Sequence, residues 1–489
     1  MADPVWLGID LGTQSVRALA ADTQGGVLAS ASAPLTSVRE GVRHTQQPSD
    51  WWEAVCTCCL QVTDALGDRP VSAVSTDATS GTILLVDQKF SPLSEAMMYD
   101  DGRAAEESTE INAQGKAFWS KMGYLTQRSW ALPKLLWLAH HHPGLLTNGL
   151  VAHQNDYIQA RLAGHPLATD SSHALKSGFD LLRNEWPHDL IAKIGLPSNV
   201  FPEVVGPGSV IGSVSQKTAE ATGLPVGCPI VAGMTDGCAS QVAAGAVRHG
   251  AWNSVLGTTL VLKGASKQRV VDPLGVVYSH RSPSGIWLPG GASSVGAGVF
   301  VGLFPAAELD TLSDAASALP NLNAVMYPLA GTGERFPFIA SEAQAFTIGH
   351  PQGPVEEFAA ALLGVACIER LCFDYLRMVG APVDGPISIT GGAVRNSFWN
   401  QLRADVLGLP LRIPASTEVA FGSAVLAASY GSSLETAVES MVHTREVIQP
   451  HADRHIALKV RYLQLIDELQ KRGWLPEEVA NFARTGANA

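Results

Sequence analysis

Two segments about half a chain apart share one pattern, in which a strand is followed by a Gly-Thr turn and a second strand. They are Gly8–Ser15 near the start of the chain and Ser254–Thr259 near its middle. Recurrence of this kind indicates two related domains that each carry one hairpin. Taken alone, each hairpin is more typical of an ordinary tight turn than of a binding site. The pair, together with a third glycine motif, favours a phosphate site.

The first hairpin contains the groups that a metal–phosphate complex needs. Gly12 lets backbone N–H groups approach phosphate oxygens closely, and Thr13 adds a hydroxyl donor. Gln14 follows in the same turn and is also a predicted phosphate ligand. Asp10, near the end of the first strand, is predicted to hold Mg²⁺ directly or through water, because Mg²⁺ keeps much of its hydration. The alternative is that Asp10 only closes the turn.

The second hairpin and the third motif offer glycine and hydroxyl groups without an acid. The second hairpin is predicted to hold the γ-phosphate of ATP. The third motif, Ile389–Ser397, follows a strand and opens a helix, where backbone N–H groups suit an adenosine or its α-phosphate. An ordinary strand-to-helix turn is an equally good interpretation of this motif alone. The predicted nucleotide ligands are Gly257, Thr258, Thr259, Gly391, Gly392, Ala393 and Asn396.

Asp236 is the predicted general base. It lies between the two hairpins in sequence, after the strand Pro229–Ala232, and Gly237 follows it. A carboxylate at a strand end is well placed to accept the proton of an attacking hydroxyl during phosphoryl transfer. The alternative is an acid that caps the following helix, which is common for Asp-Gly sequences.

The alternation of strand-like and helix-like runs predicts an α/β protein, and 489 residues exceed the usual size of a single core. Asp50, with Glu53 three residues later, predicts a capping box at the start of its helix. The predicted strands are Val5–Ile9, Val16–Ala21, Val71–Thr76, Thr82–Val86, Pro229–Ala232, Trp252–Val255, Thr259–Leu262 and Ile387–Ile389. The predicted helices are Asp50–Leu66, Pro133–His140, Thr218–Thr222, Glu356–Met378 and Ser397–Val406.

Composition excludes several classes of function. A net charge of −12 without a basic stripe argues against a nucleic-acid partner. Seven irregularly spaced cysteines predict buried free thiols in a reduced protein. The sequence shows no signal segment, and its longest uncharged stretch, Ser282–Ala307, is broken by Gly, Pro and Ser, so we expect a cytoplasmic protein without a membrane partner. Neither a Walker A motif nor a complete G-x-G-x-x-G fingerprint is present, which disfavours P-loop and Rossmann enzymes.

Several motifs in order along the chain resemble those of the FGGY family of carbohydrate kinases, which have the actin-like ATPase fold. Gly8–Ser15 is similar to the family's first phosphate loop, and Gly391–Pro410 closely follows its C-terminal signature. Asp236 falls where the family places its catalytic base. The other matching segments are Gln46-Gln47-Pro48 with Trp51-Trp52, Asp101-Gly102-Arg103, Asn155-Asp156-Tyr157, Glu418 and Gly422-Ser423-Ala424. The resemblance covers nearly the full chain.

This resemblance implies two actin-like (ribonuclease H-like) domains with an ATP and sugar cleft between them. Residues 1–247 would bind the sugar and carry the first phosphate loop, and residues 248–489 would carry the second loop and bind adenosine. Asp236 would take the proton of a sugar hydroxyl as it attacks the γ-phosphate of ATP. Mg²⁺ near Asp10 would bridge the phosphates while the domains close and exclude water.

The choice of sugar depends on a short segment after the third strand. Xylulose kinases usually carry Gln-Met-His-Gly there, whereas this chain has Asp77–Gly81, which looks more like ribulose kinases. Ser172–Asp180 also resembles a stretch of D-ribulose kinases, while Asp100–Arg103 is closer to xylulose kinases. We therefore expect a ketopentose, with D-ribulose favoured over D-xylulose. Thr79, Ser80 and Asp101 are the predicted hydroxyl contacts, and a satisfied turn is an equally good interpretation of Thr79 and Ser80.

A hypothesis of another class is a non-catalytic nucleotide-binding protein with the same actin-like fold. It predicts neither a retained base nor a sugar pocket, and Asp236 argues against it. The expected partners are thus a small sugar and ATP. A homodimer is compatible with the sequence.

Overall fold

A computed structural model describes residues 3–488, and they form two compact units. The first unit contains Met1–Gly245, His280–Ile286 and Ser416–His443. The second contains Ala246–Ser279, Trp287–Ala415 and Thr444–Ala489. The first division falls two residues from the predicted boundary between 247 and 248. The segment Ser416–His443, which we expected in the C-terminal domain, instead belongs to the first unit.

The central sheet of the first unit has six strands. Its neighbours, in order, are Val210–Ser213, Pro229–Thr235, Val71–Ala78, Val5–Leu11, Ser15–Ala21 and Val27–Pro34. The strands Pro229–Thr235, Val71–Ala78 and Val5–Leu11 run parallel to one another, while the outer strands pair antiparallel. Parallel strands are buried on both faces, and Val5–Leu11 and Pro229–Thr235 are apolar over most of their length, whereas Val71–Ala78 also buries Ser75 and Thr76.

A second sheet of the first unit has five strands in the order Val38–Glu40, Arg43–Gln46, Ala96–Met97, Ile83–Val86 and Leu150–His153. Thr169–Asp170 and Val204–Val205 form a separate parallel pair. The α-helices of this unit are Pro48–Leu66, Ala105–Gln114, Lys116–Met122, Ala131–His141, Pro143–Leu146, Gln154–Ala163, Ser171–Ala174, His188–Lys193, Gln216–Thr222, Asp236–Ala243, Val419–Ala428 and Leu434–Met441. Leu175–Ser177, Ser198–Val200 and Ser429–Gly431 are 3₁₀ turns.

The second unit repeats the plan around its own sheet. Neighbouring strands, in order, are Trp287–Ser293, Leu260–Gly264, Trp252–Leu256, Ile387–Thr390, Leu411–Pro414 and Thr444–Ile448. The residues of the strand Tyr278–Arg281 are divided between the two units. Val325–Tyr327 and Phe346–Ile348 form a small antiparallel pair. The helices are Gly298–Leu303, Leu309–Ser317, Pro354–Met378, Ser397–Leu407, Ala452–Lys471 and Glu477–Asn488, with 3₁₀ turns at Ala306–Glu308 and Gly392–Arg395.

Each predicted strand and helix is present, with ends that differ by at most a few residues. The capping box at Asp50 was wrong. The helix begins at Pro48, and its N-cap is Gln47, without a side-chain cap. Proline favours the first helical position because its missing N–H costs nothing there, so the helix begins two residues before the predicted cap.

All seven cysteines are free, as predicted, and six of them are buried. Burial raises the pKa of Cys56 and Cys58 to about 11, so these thiols stay protonated and unreactive at neutral pH. Among residues 3–488, the structure contains no helix with the length and apolar character to cross a membrane.

Candidate active site

The first hairpin brings the predicted phosphate ligands together at its tip. Gly12 N–H donates to the carbonyl of Ser15 at 3.1 Å and closes the turn. The Gln46 side chain donates to the carbonyl of Thr13 at 2.7 Å and anchors the tip from outside. Gly12 and Thr13 are half-buried and Gln14 is exposed. The hairpin therefore presents its turn on a fixed backbone, as a phosphate loop requires.

Asp10 lies beside a second acid, Asp77, which sequence reasoning did not include among the site residues. The two are in register across parallel strands, and Asp77 is fully buried. Burial, the largest influence, raises the pKa of Asp10 to about 6 and that of Asp77 well above its usual range. A proton on Asp77 lets its carboxyl donate to Asp10, so the pair carries less than two negative charges.

Asp236 completes a group of three acids at one edge of the sheet. The strand Pro229–Thr235 runs parallel to Val71–Ala78, so the carboxyl ends of both strands meet there. The negative charge of Asp236 contributes to the raised pKa values of both Asp10 and Asp77, which places it near the pair. Asp236 is half-buried, opens the helix Asp236–Ala243 and accepts a hydrogen bond from Gly237 N–H at 2.6 Å. Thr235 is the N-cap of this helix and Asp236 is its first residue, so the alternative role of Asp236 as the helix cap is wrong, while its role as general base stays a prediction.

The helix Val419–Ala428 supports this group. A Cβ on Gly422 would lie 1.9 Å from the carbonyl oxygen of Ala239, so only glycine lets the two helices approach this closely. Ser423 then reaches the sheet, and its hydroxyl donates to Oδ2 of Asp77 at 2.6 Å. The Gly422-Ser423-Ala424 segment therefore contacts the acid group of the first unit.

The predicted sugar contacts differ in how far their polar atoms are already used. The Thr79 hydroxyl bonds with Gln154 Oε1 at 2.8 Å and with the Thr82 hydroxyl. Asp101 is fully buried, and its carboxylate accepts hydrogen bonds from the Arg103 guanidinium. Ser80 Oγ is buried without a hydrogen-bond partner. Sugar contacts by all three stay predictions, and Ser80 has the uncommitted hydroxyl.

Tyr99 is a further member of this region that the sequence did not suggest. Tyr99 is 40% exposed, and the Thr13 side chain acts to lower its pKa. Burial and the charges of Asp100 and Asp236 raise the pKa of Tyr99, so the phenol stays protonated at neutral pH. A signal was available, because Tyr99 immediately precedes the Asp-Asp-Gly-Arg motif.

The second hairpin is closed in the same way as the first. Gly257 N–H donates to the carbonyl of Thr259 at 3.1 Å. Its outer face contacts a glycine-containing loop that sequence reasoning missed: Ala297 N–H donates to the Gly257 carbonyl at 2.8 Å, and Gly298 N–H donates to the Thr258 carbonyl at 3.0 Å. Thr258 remains exposed. These hydrogen bonds to the turn carbonyls fix the backbone of the hairpin, while the Thr258 side chain stays accessible.

The third motif begins the 3₁₀ turn Gly392–Arg395 rather than the α-helix directly. Gly391 has φ +91°, and a Cβ there would lie 2.5 Å from the carbonyl oxygen of Leu256, so this glycine is needed for packing. A Cβ on Gly392 would meet no atom within 4 Å, which leaves open space for a ligand. Ala393 is buried. The side-chain amide oxygen of Asn396 accepts a hydrogen bond from Trp399 N–H at 2.8 Å, so this oxygen caps the following helix.

No group of three or more His, Cys, Asp or Glu within the described part of the chain has metal-ligand geometry. Asp10 and Asp77 nonetheless fit Mg²⁺, which is usually bound by one or two carboxylates while water and substrate phosphates supply its other ligands. Both carboxyls resist ionisation in the protein alone, and a divalent cation would compensate their charge.

Comparison with known proteins agrees with this geometry. Residues 5–243 match the N-terminal domain and residues 252–430 the C-terminal domain of the FGGY family of carbohydrate kinases. A xylulose kinase of Streptomyces coelicolor is 28% identical over 435 residues, covering 87% of this chain and 88% of that protein. One from Escherichia coli is 26% identical over 472 residues, covering 94% and 97%. The crystal structure of a xylulose kinase from Rhodospirillum rubrum superposes with a TM-score of 0.86 at 25% identity, covering 96% and 99%. This chain shares with that crystal structure the two-domain actin-like, ribonuclease H-like fold.

Proposed function

The chain belongs to the FGGY family of carbohydrate kinases and is a sugar kinase that uses ATP, and on that premise we propose that it phosphorylates a hydroxyl group of a ketopentose. The observation that carries the proposal is the group formed by Asp10, Asp77 and Asp236 at one sheet edge, beside the phosphate hairpin. Only an acceptor substrate requires a general base, so this group favours a kinase over a non-catalytic nucleotide-binding protein.

Asp236 is the general base in this proposal. It accepts the proton of the sugar hydroxyl as the hydroxyl oxygen attacks the γ-phosphorus of ATP and the bond to the β-phosphate oxygen breaks. The helix Asp236–Ala243 starts at this residue, and its N-terminal N–H groups stabilise the carboxylate charge. The bond from Gly237 N–H fixes the orientation of the carboxylate.

Phosphate contacts in the proposal come from the turn residues of both hairpins. In the first unit, Gly12, Thr13 and Gln14 contact the transferred phosphate, and Asp10 holds Mg²⁺, which would neutralise phosphate charge. In the second unit, the turn Gly257–Thr259 contributes N–H and hydroxyl donors. The open face at Gly392 accepts the adenosine.

D-Xylulose is the first candidate substrate, because the Streptomyces coelicolor and Escherichia coli relatives are both named xylulose kinases. D-Ribulose, which the sequence favoured, is the second. Its support is the segment Asp77–Gly81, which lacks the Met and His of the xylulose kinase pattern. We further propose a cytoplasmic location and leave a homodimer as a prediction for sedimentation analysis.

The deciding experiment measures ADP formation with D-xylulose, D-ribulose, L-xylulose, L-ribulose, gluconate and glycerol, each at saturating Mg-ATP. We expect kcat/KM to be highest for one of the two D-ketopentoses. A clear preference for gluconate or glycerol would disprove the choice of a ketopentose. ATP hydrolysis that no added sugar increases would disprove the kinase assignment itself.

A further inference from the structure

Three buried or half-buried nitrogen donors hold one short loop, Ala78–Gly81, which we call the selectivity loop. His173 Nε2 lies 3.3 Å from the carbonyl oxygen of Ala78. Lys176 Nζ donates to the carbonyl of Ser80 at 3.0 Å. Lys134 Nζ donates to the carbonyl of Gly81 at 3.0 Å. Three of the four loop carbonyls are therefore bound by side chains.

Burial of these polar donors costs free energy, because they lose contact with water. His173 and Lys134 are fully buried, and lysine is almost never fully buried without partners. His173 Nδ1 also faces Asp170 Oδ2 at 2.6 Å, so both ring nitrogens face acceptors and the doubly protonated ring satisfies both. Burial lowers the pKa of Lys134 to about 7, and its amine donates in either protonation state.

Of the two side-chain hydroxyls of the loop, one has hydrogen-bond partners and the other has none. The Thr79 hydroxyl is taken by Gln154 and Thr82. Gly81 has φ +99°, a conformation that glycine adopts readily. Ser80 Oγ is buried and has no hydrogen-bond partner. A buried hydroxyl without a partner is costly unless a ligand satisfies it, which makes Ser80 the group that a sugar hydroxyl would meet.

Two of the three donors come from the second segment that sets this chain apart. Asp77–Gly81 departs from the xylulose kinase pattern, and Ser172–Asp180 resembles D-ribulose kinases. His173 and Lys176 belong to that second segment, so the two distinguishing segments contact each other directly. Lys134 also donates to the carbonyl of Met98, the residue before Tyr99, and joins the loop to the segment that carries Tyr99 and Asp101.

We propose that His173, Lys176 and Lys134 are positioning residues that hold the selectivity loop in the shape that discriminates between ketopentoses. The proposal rests on the proposed function. The loop presents Ser80 to the sugar, and the three donors act through the loop backbone rather than on the substrate. Loss of one donor frees a carbonyl and lets the loop relax. Discrimination between D-ribulose and D-xylulose, which differ at a single carbinol, is then lost before ATP binding is affected.

The test compares Lys176→Met, Lys176→Arg and His173→Asn with a matched control, Lys193→Met. Lys193 also donates to a backbone carbonyl, that of Gln114 at 2.6 Å, but lies on the exposed surface outside the loop contacts. Steady-state kinetics give kcat and KM for D-ribulose, D-xylulose and ATP. Lys134→Gln is a second buried variant, and thermal unfolding monitors the folding of each protein.

We expect Lys176→Met to change the ratio of kcat/KM for the two sugars about tenfold, the value of a lost charge-assisted hydrogen bond, while KM for ATP stays within about twofold. Lys176→Arg keeps a donor and retains the ratio, and Lys193→Met leaves all constants unchanged. Amide hydrogen exchange at Thr79–Thr82 rises in Lys176→Met and in His173→Asn.

Two outcomes separate the inference from its premise. If the wild-type chain turns over sugars and folded Lys176→Met and His173→Asn keep the wild-type ratio, the inference is overturned and the proposed function stands. If the wild-type chain phosphorylates neither ketopentose, the proposed function fails and the selectivity claim with it. An equal rise in KM for both sugars and ATP indicates general loss of structure and overturns the inference as well.

Discussion

The two hairpins have the same backbone and different side chains behind it. Gly12 N–H and Gly257 N–H each close their turn with a hydrogen bond of 3.1 Å. In each unit the first hairpin strand has an antiparallel partner on one side and a parallel strand on the other. Two residues before the turn glycine, the first hairpin has Asp10 and the second has Val255. The residue paired with each across the parallel strand is Asp77 in one unit and Thr390 in the other.

The charged groups of the second unit contact Ser254, one residue before Val255, and they stabilise the fold. Arg403 and Glu369 are fully buried and form two hydrogen bonds, at 2.7 and 2.8 Å, behind Ser254. The first unit instead leaves carboxyls at the strand ends, where burial works against their charge. Under the proposed function, the turns would provide phosphate contacts in both units, while the residues behind each turn would decide whether a unit performs chemistry or holds its shape.

The largest expected effect is on the acid group of the first unit. Asp236→Asn should lower kcat by about 10²–10⁴-fold, the usual contribution of a general base, because the amide cannot accept the proton. The dissociation constant for ADP, measured by calorimetry, should stay near the wild-type value. Asp87→Asn is the control, since Asp87 follows a strand but only closes a turn through Lys89 and Ser91 N–H groups. Near-normal turnover by Asp236→Asn would refute the assignment.

The second prediction concerns the buried ion pair of the second unit. Glu369→Ala leaves the guanidinium of Arg403 buried without its partner and should lower the free energy of unfolding by about 3–5 kcal/mol. The exposed pair Arg183–Glu185 is the control, because Glu185→Gln should change it by less than about 1 kcal/mol. Replacing both Arg403 and Glu369 by Met and Leu should recover most of the loss. Equal effects at the buried and exposed pairs, in urea unfolding, would contradict this interpretation.

The third prediction concerns Asp77, a carboxyl of the first unit that is as fully buried as Glu369 in the second. Asp77→Asn keeps an acceptor for the Ser423 hydroxyl and replaces a carboxyl whose ionisation burial disfavours. The free energy of unfolding should therefore change by less than about 1 kcal/mol, in contrast to Glu369→Ala. Turnover should fall about tenfold, as for a lost charge-assisted contact, because Asp10 loses its carboxyl partner. Severe unfolding without a kinetic defect in the folded fraction would show that Asp77 serves structure alone.

The fourth prediction separates two adjacent glycines. Gly391→Ala introduces a Cβ 2.5 Å from the Leu256 carbonyl oxygen at φ +91° and should destabilise the protein by about 1–3 kcal/mol. Gly392→Val meets no protein atom near its Cβ, so stability should hold while KM for ATP rises about tenfold through lost ligand contact. The reverse assignment of the two effects would move the nucleotide away from Gly392.

Each strand and helix that local patterns predicted is present, because apolar periodicity and glycine act on neighbouring residues, but these eight strands and five helices are fewer than half of those in the described residues. Asp77 was missed because the pairing of Val5–Leu11 with Val71–Ala78 is not visible locally, although each strand carries an aspartate at its next-to-last position. Ser423 reaches Asp77 across 346 positions of sequence. The segment Ser416–His443 belongs to the first unit through contacts of the same long-range kind, among them the packing against Gly8 and Ala239. Long-range contacts are what the sequence alone does not contain.

The smallest expected effect compares the two buried ion pairs by pH. The pair in the first unit contains the imidazole of His173, which can lose its proton near neutral pH. Burial opposes the charge of His173, but Asp170 outweighs it and raises the pKa of His173, with Asp156 contributing. A raised folded pKa gives stability that is complete below the unfolded value of 6.5 and is lost as pH rises through the folded value. Wild-type stability should therefore fall with rising pH above 6.5, and His173→Gln should remove that part of the slope.

Urea unfolding of both proteins across this range, with Glu185→Gln as the unaffected control, measures the difference. Parallel slopes would show that the His173–Asp170 pair does not titrate with folding.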